Sequence, residues 1–249
     1  MRWLLWVFFL AFHSWSALAC GTEGKKPAVL FLHGWGGSPS TWSSAADVAQ
    51  QSGFEAFNPE MPWSGRALQH APHITRAQMF EAARAEYDVI ANNPAVDTSC
   101  IYIAGTSAGS YVAILLSKER RFAGMILHAI AAYPDKGYAS TPLSRWIDVP
   151  EAHQRLIVWR ATNAASHTRM NAALRAFSGS ILFLISENDN LVTAQASRNI
   201  TGRVIKKLVW TIRGAGHNLS DAQLAQVATD VIGPWLRITS SNKLIFPVP

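Results

Sequence analysis

Six short runs dominated by apolar residues punctuate the chain, and stretches with helical spacing separate them. The runs cover residues 27–32, 54–57, 101–104, 125–130, 181–186 and 207–212. Apolar runs of this length are typical of strands that are buried on both faces, as in parallel sheets. Residues 75–92 instead repeat apolar side chains at the spacing of one helix face. The pattern predicts an α/β protein with about six mostly parallel strands flanked by helices.

The N-terminal stretch differs in composition from the rest of the chain. Arg2 is followed by the apolar stretch Trp3–Phe12, which is too short to span a bilayer. Small residues then precede Cys20, as cleavage by signal peptidase requires. We predict a signal peptide at residues 1–19 and one domain at residues 20–249, so the protein is expected to be exported to the periplasm or secreted. The alternative is an uncleaved anchor.

Two cysteines leave three interpretations open. Cys20, as the first residue after cleavage, could be lipidated as in bacterial lipoproteins, although Ala17 stands where those proteins have a large aliphatic residue. If the signal peptide is cleaved, a lipidated Cys20 is the only membrane association that we predict. Cys100 is most simply a small buried apolar residue. A disulfide between Cys20 and Cys100 is permitted in an oxidising compartment, but two cysteines are weak evidence for one.

Composition narrows the range of partners. The chain has 249 residues, 49% of them hydrophobic, and a formal net charge of +6. Its basic residues are scattered, without the stripe of interleaved aromatic residues that binds nucleic acid, so we interpret them as a solvated surface and predict no nucleic-acid partner. No cysteine or histidine spacing indicates a metal site.

The segment Ile101–Ser110 (IYIAGTSAGS) carries the strongest chemical signal. Apolar residues lead into a tight turn with Ser107 at its apex, and a helix-compatible stretch follows. Gly105 and Gly109 flank the serine because side chains at these positions would collide with the adjoining strand and helix. The pattern predicts a nucleophile on a strand–turn–helix elbow. An ordinary glycine-rich turn is the alternative.

A serine nucleophile needs a base and an acid, and both follow in the chain order serine, acid, histidine. The strand at residues 181–186 ends directly before Glu187 and Asp189, at the sheet edge where Ser107 is expected. We select Asp189 as the acid and retain Glu187 as the alternative. His217 lies in a glycine-flanked loop after the strand at residues 207–212, and we select it as the base.

Backbone N–H groups in a glycine-rich turn complete the predicted site. The strand at residues 27–32 ends in His33–Gly37 (HGWGG). We predict an oxyanion hole made by the N–H groups of Trp35 and Ala108. His33 is expected to brace this loop and to take no part in proton transfer.

These motifs together resemble those of serine hydrolases of the α/β-hydrolase fold. Three segments resemble the dienelactone-hydrolase-like and esterase branches: His33–Gly37, the elbow with Tyr111 after it, and Ala131–Asp135. Dienelactone hydrolases proper have a cysteine where Ser107 stands, so their reaction is not carried over. The resemblance implies a Ser–Asp–His triad and no cofactor. Because only a handful of residues separate the predicted signal peptide from the first strand, we expect the usual N-terminal hairpin of this fold to be missing.

The long insertion before the strand at 181–186 occupies the position where this fold carries a cap. Residues 134–178 either form a small helical cap or ordinary crossover helices. We assign four apolar residues to the underside of such a cap: Trp146, Ile147, Leu156 and Trp159. We expect Tyr133 to line the substrate cleft. Trp63 either lines it as well or is a core residue.

The sequence therefore predicts an exported serine hydrolase that cleaves a small carboxylic ester through an acyl-enzyme at Ser107. The same residues could cleave a thioester, an amide or a peptide, and a binding protein that kept the fold without catalysis is the contrasting class. Because the insertion is short, we expect soluble esters with short-to-medium acyl chains to be preferred over long-chain triglycerides.

Overall fold

Parallel strands form a sheet at the centre of the computed structural model, which describes residues 20, 24–70, 72–163, 169–202 and 204–241. The predicted signal peptide at residues 1–19 lies outside the described residues. In the described part, six strands pair in the order β2-β1-β3-β4-β5-β6, and every pair is parallel. The strands are β1 (Lys26–Leu32), β2 (Glu55–Phe57), β3 (Val96–Thr106), β4 (Gly124–His128), β5 (Ser180–Ser186) and β6 (Lys207–Ile212).

Helices cover both faces of the sheet, as the sequence predicts. The α-helices are α1 (Ser43–Gln51), α2 (Gly65–Leu68), α3 (Arg76–Ala91), α4 (Ala108–Leu116), α5 (Ser144–Ile147), α6 (Glu151–Asn163), α7 (Arg169–Ala176), α8 (Ala194–Thr201), α9 (Asp221–Val227) and α10 (Gly233–Ser240). A 3₁₀ turn at Pro39–Trp42 precedes α1, and a π-helical turn at Ala228–Ile232 joins α9 to α10.

The hydrophobic core consists of two layers because alternate side chains of a strand point to opposite faces. Ile101 and Ile103 of β3 pack in the layer that contains α3 and α4. Tyr102 and Ala104 pack in the layer that contains α1, α9 and α10. Strands buried on both faces explain why the apolar runs are nearly continuous rather than alternating. The last strand is different: among the described strands, β6 pairs only with β5, and it exposes most of its side chains.

The register of the strands brings their carboxyl ends to a common edge. Leu32 pairs with Gly105, and Thr106 pairs with His128. At the other side of the sheet, Ser186 pairs with Ile212. The loops that follow β1, β3, β5 and β6 therefore leave the sheet side by side. All three predicted triad residues lie in or next to these loops.

Helix α9 fixes the far end of the loop that carries His217. Ser220 accepts a hydrogen bond from the backbone N–H of Gln223, and the Gln223 side chain accepts one from the Ser220 N–H. This capping box satisfies two of the free N–H groups at the helix start. The loop is thus held between the end of β6 and a capped helix.

A disulfide joins Cys20 to Cys100, with their Cα atoms 5.3 Å apart. The interpretation of Cys100 as an unpaired apolar residue was therefore wrong. The N–H of Cys20 also donates to the carbonyl of Ser240 at 3.1 Å, so this residue is tied both to β3 and to the end of α10.

Among the described helices, none has the length and apolar character needed to cross a bilayer.

Candidate active site

Ser107 lies on a sharp turn between β3 and α4. Its backbone has φ 52° and ψ −118°, a left-handed conformation that is costly for a residue with a side chain. A Cβ atom at Gly105 would lie 2.6 Å from the Gly109 carbonyl, and one at Gly109 would collide with the Leu32 carbonyl oxygen. The Ser107 N–H donates to the carbonyl of His128 at 3.0 Å. The two glycines thus permit a close-packed turn that holds the serine above the sheet.

Asp189 lies in the turn after β5 with a side chain that is 1% exposed. Its Oδ1 atom accepts hydrogen bonds from the N–H groups of Leu191 (2.9 Å) and Val192 (2.8 Å). Glu187 has a different role: its exposed carboxylate accepts from the N–H of Gly214 at 2.9 Å and so supports the histidine loop. The structure places Asp189, and not Glu187, beside the His217 ring.

His217 connects the acid to the serine. Its Nδ1 lies 2.9 Å from Oδ2 and 3.0 Å from Oδ1 of Asp189, and its Nε2 lies 3.1 Å from Oγ of Ser107. A carboxylate only accepts hydrogen bonds, so we assign the ring proton to Nδ1. Nε2 is then free to accept from the Ser107 hydroxyl. The three residues form one hydrogen-bonded chain in which the ring can take up the hydroxyl proton.

The loop after β1 lies against the serine elbow. A Cβ atom at Gly34 would be only 3.3 Å from the Cβ of Ser107, so a glycine allows this approach. In the same loop the Gly36 N–H donates to the carbonyl of Trp63 at 2.9 Å. Within the described part of the chain, the N–H groups of Trp35 and Ala108 have no hydrogen-bond acceptor. Neither of the two predicted oxyanion donors is therefore occupied by another group of the described protein.

His33 and Trp63 hold this loop from below. The N–H of Met61 donates to Nε2 of His33 at 3.1 Å, which leaves the Nδ1 proton to donate to the Gly34 carbonyl at 2.8 Å. Burial lowers the pKa of His33, so its ring stays neutral near pH 7. Trp63 is fully buried and donates from Nε1 to the His33 carbonyl at 2.8 Å. Trp63 is thus a core residue, the second of the two alternatives that its sequence position left open.

A small cavity of about 30 Å³ adjoins Ser107 and His217. Tyr133 and residues of α5 and α6 form much of its wall, together with the turn after Asp189. Besides Ser107, His217 and Tyr133, the cavity is lined by Ala131, Trp146, Ile147, Gln154, Ile157, Val158, Leu191 and Val192. The first part of the insertion therefore covers the serine as a cap, whereas α7 packs on α4 as an ordinary crossover helix.

Helix α6 of the cap faces the cavity with residues other than the predicted ones. Trp146 and Ile147 line the cavity, as expected, but Leu156 and Trp159 are each 40% exposed on the outer surface. Ile157 and Val158 face the cavity instead. The four residues 156–159 are all apolar, so their sequence does not indicate which side of the helix faces inward.

Besides Ala131, Ile157 and Val158, three lining residues were not predicted from the sequence: Gln154, Leu191 and Val192. Leu191 and Val192 lie two and three residues after Asp189, the predicted acid, and this proximity was a usable signal. Gln154 of α6 has no such signal, because a polar residue on a helix is normally assigned to solvent. Its amide donates to the carbonyls of Ile147 and Val149 and so joins α6 to the end of α5.

In the described part of the chain, no group of His, Cys, Asp and Glu side chains could hold a metal ion.

Comparison with known proteins agrees with this architecture. The sequence model of the alpha/beta hydrolase family matches residues 29–230, more than half of the chain. No curated protein matches the chain in sequence.

Solved structures show the same fold at low identity. A monoacylglycerol lipase of Paleococcus ferrophilus is 16% identical with a TM-score of 0.61, and the match covers 87% of this chain and 97% of the lipase. Est1E from Butyrivibrio proteoclasticus is 14% identical with a TM-score of 0.63, covering 87% and 89%. A dienelactone hydrolase from Anabaena variabilis is 16% identical with a TM-score of 0.60, covering 84% and 85%.

Proposed function

The chain belongs to the alpha/beta hydrolase family, and on that premise we propose that it is an exported serine hydrolase that cleaves small carboxylic esters. One observation carries the proposal: the unbroken hydrogen-bonded chain from Ser107 through His217 to Asp189 at the carboxyl edge of the sheet. The names of structural neighbours, which include a monoacylglycerol lipase and lipolytic enzymes of lipase and esterase families, agree with an ester substrate.

In the first half of the reaction, Oγ of Ser107 attacks the ester carbonyl carbon while Nε2 of His217 takes the hydroxyl proton. The N–H groups of Trp35 and Ala108 donate to the negatively charged oxygen that forms. Asp189 stabilises the positive imidazolium through the Nδ1 hydrogen bond. Collapse breaks the bond to the alcohol oxygen, which receives the proton from Nε2, and an acyl-serine remains.

In the second half, water repeats the attack. His217 takes a proton from the water as its oxygen bonds to the acyl carbon, and the same two N–H groups bind the oxyanion. The bond to Oγ of Ser107 then breaks, and the oxygen recovers the proton from the imidazolium. The products are the carboxylic acid and the unchanged enzyme.

The size of the cavity supports a small acyl group. The cavity of about 30 Å³ beside Ser107 has room for about two water molecules. An acetyl group approaches what this space admits, and longer chains require the cap residues of α5 and α6 to move outward. We therefore expect the substrates to be soluble esters with short acyl chains. Esters with medium acyl chains are expected to bind only when the cap residues of α5 and α6 move outward.

The disulfide supports export without a lipid anchor. A lipoprotein-type thioether needs the Sγ atom of Cys20, and that atom is bonded to Cys100. Structural disulfides also persist mainly in oxidising compartments. We expect mass spectrometry of the protein from the secreted or periplasmic fraction to give a chain that starts at Cys20, without diacylglyceryl mass. A lipid-modified Cys20 would contradict the disulfide, and a chain that retains Met1 would contradict cleavage.

The decisive experiment combines two assays on protein lacking residues 1–19. Labelling with a fluorophosphonate reports an activated serine, and p-nitrophenyl esters from acetate to palmitate report the acyl preference. Ser107→Ala is the control for both. We expect labelling of the unmodified protein alone and the highest specificity constants at short chains. Absence of both labelling and turnover would identify a non-catalytic binding protein, and faster cleavage of matched thioesters or amides would reassign the substrate.

A further inference from the structure

The site described above leaves one buried histidine unused. His128 is the buried last residue of β4, and alternation along the strand from Ile126 places its side chain on the face of the sheet that packs against α1 and α9. It lines a cavity of about 180 Å³ that is also lined by His217. This second imidazole therefore lies just behind the proposed base.

Both ring nitrogens of His128 are hydrogen-bonded to strand ends. Nδ1 lies 2.8 Å from the hydroxyl of Thr106, and Nε2 lies 2.9 Å from the hydroxyl of Ser186. In a neutral ring one nitrogen donates and the other accepts, and a hydroxyl can serve in either sense. Thr106 directly precedes Ser107, and Ser186 is three residues before Asp189. The ring thus connects the strand of the nucleophile to the strand of the acid.

The backbone pairing does not make this connection by itself. The last ladder partner of His128 in β5 is Leu184, so β5 continues for two residues beyond the end of its pairing with β4. The bond from Nε2 to Ser186 spans this unpaired step. On the other side, the His128 carbonyl accepts from the N–H of Ser107 at 3.0 Å and from the hydroxyl of Ser110 at 2.8 Å.

The chain turns sharply directly after this residue. Ala129 has φ 48°, a left-handed conformation that is unusual for a residue with a side chain. Such a conformation persists where the surrounding contacts hold it in place. Burial also lowers the pKa of His128 to about 4, so the ring adds no positive charge beside the imidazolium that forms on His217.

We propose that His128 is a positioning residue: through Thr106 and Ser186 it sets the separation of Ser107 and Asp189, and hence the alignment of His217 between them. The inference rests on the proposed serine-hydrolase function. A misplacement of about 1 Å at a reacting group can cost up to about 100-fold in rate. Loss of the bridge should therefore lower kcat with little effect on KM.

Substitutions can remove one connection at a time. The amide of His128→Gln occupies the position of Nε2 and keeps the bond to Ser186, whereas His128→Asn occupies the position of Nδ1 and keeps the bond to Thr106. His128→Leu removes both, and Ser186→Ala removes the acid side alone. The matched control is Ser197→Ala in α8, since Ser197 is buried and its hydroxyl has no hydrogen-bond partner in the described part of the chain.

The readouts are kcat, KM and the rate of fluorophosphonate labelling, measured well below the Tm of each variant. We expect kcat and the labelling rate to fall roughly tenfold in His128→Leu and Ser186→Ala, less in His128→Gln, and not at all in Ser197→Ala, with KM within about twofold. Partial recovery by Gln would support the bridge. Full kcat and labelling rate in His128→Leu, with only a lower Tm, would overturn the positioning role.

The same data separate this inference from the proposed function. If the unmodified protein is labelled but the His128 variants are labelled equally fast, the positioning role fails and the hydrolase assignment stands. If the unmodified protein is neither labelled nor active on esters, the hydrolase assignment fails, and the positioning role fails with it.

Discussion

The sheet edge that carries Ser107 and the cap that covers it are built in different ways. At the edge, Asp189 is almost fully buried and accepts two backbone hydrogen bonds, and the serine turn is held by the end of β4. In the cap, Leu156 and Trp159 of α6 are substantially exposed. A rigid edge can hold a reaction geometry, whereas a surface cap can change shape with little cost to the fold. We expect chemistry to depend on the first region and substrate choice on the second.

The largest effect is expected at Ser107, the proposed nucleophile. Ser107→Ala should lower ester turnover by about 10⁵-fold, to near background, because the remaining groups can bind substrate but cannot form an acyl-enzyme. The measurement is kcat at saturating p-nitrophenyl acetate, with circular dichroism to show an unchanged fold. If the variant keeps more than about a tenth of the activity, Ser107 is not the nucleophile. The sheet edge would then not be the region on which the chemistry depends.

The two carboxylates after β5 provide a sharper comparison within the edge. Asp189→Asn should lower kcat by about 10⁴-fold, because an amide can donate to Nδ1 and so favour the wrong His217 tautomer. Glu187→Gln is the matched control: it should change kcat only a few-fold, since Glu187 contacts the backbone of Gly214 and not the ring. Steady-state kinetics of both variants decides the assignment. A larger loss of kcat in Glu187→Gln than in Asp189→Asn would assign the role of the acid to Glu187.

The two regions also differ in how far the sequence predicted them. The edge was predictable because each feature is local: glycines permit the turn at Ser107, and apolar runs end where Asp189 and the His217 loop begin. The inward side of α6 was not, because residues 156–159 are all apolar and only packing selects a side. The Cys20–Cys100 pairing likewise depends on tertiary proximity across 80 positions of the chain.

The buried histidine of the edge should make the fold sensitive to acid. Its ordinary pKa is 6.5, and burial lowers the pKa of His128 to about 4 in the folded state. Between these values the unfolded chain takes up a proton that the folded protein does not, so stability falls as pH falls. The contribution is about 3 kcal/mol of unfolding free energy between pH 7 and pH 4.

Urea unfolding at pH 7.0, 5.5 and 4.5 tests this contribution. The unmodified protein should lose stability steeply over this range, and His128→Gln should lose less because the amide does not titrate. His33, whose pKa burial also lowers, is present in both proteins and contributes equally to each. Parallel stability curves for the two proteins would show that His128 titrates in the folded state much as it does in the unfolded chain.

The smallest effect is expected in the cap, and it tests the other half of the comparison. Val158 is buried against the cavity, whereas Leu156 on the same helix is exposed. Val158→Ala removes two methyl groups from the wall and should admit a longer acyl chain. Each added methylene that becomes buried contributes about 0.8 kcal/mol, so the ratio of specificity constants for butyrate over acetate should rise roughly tenfold. Leu156→Ala should leave this ratio unchanged. If Val158→Ala and Leu156→Ala give the same ratio of butyrate to acetate, α6 does not contact the acyl group. The acyl preference would then have to come from the sheet edge itself.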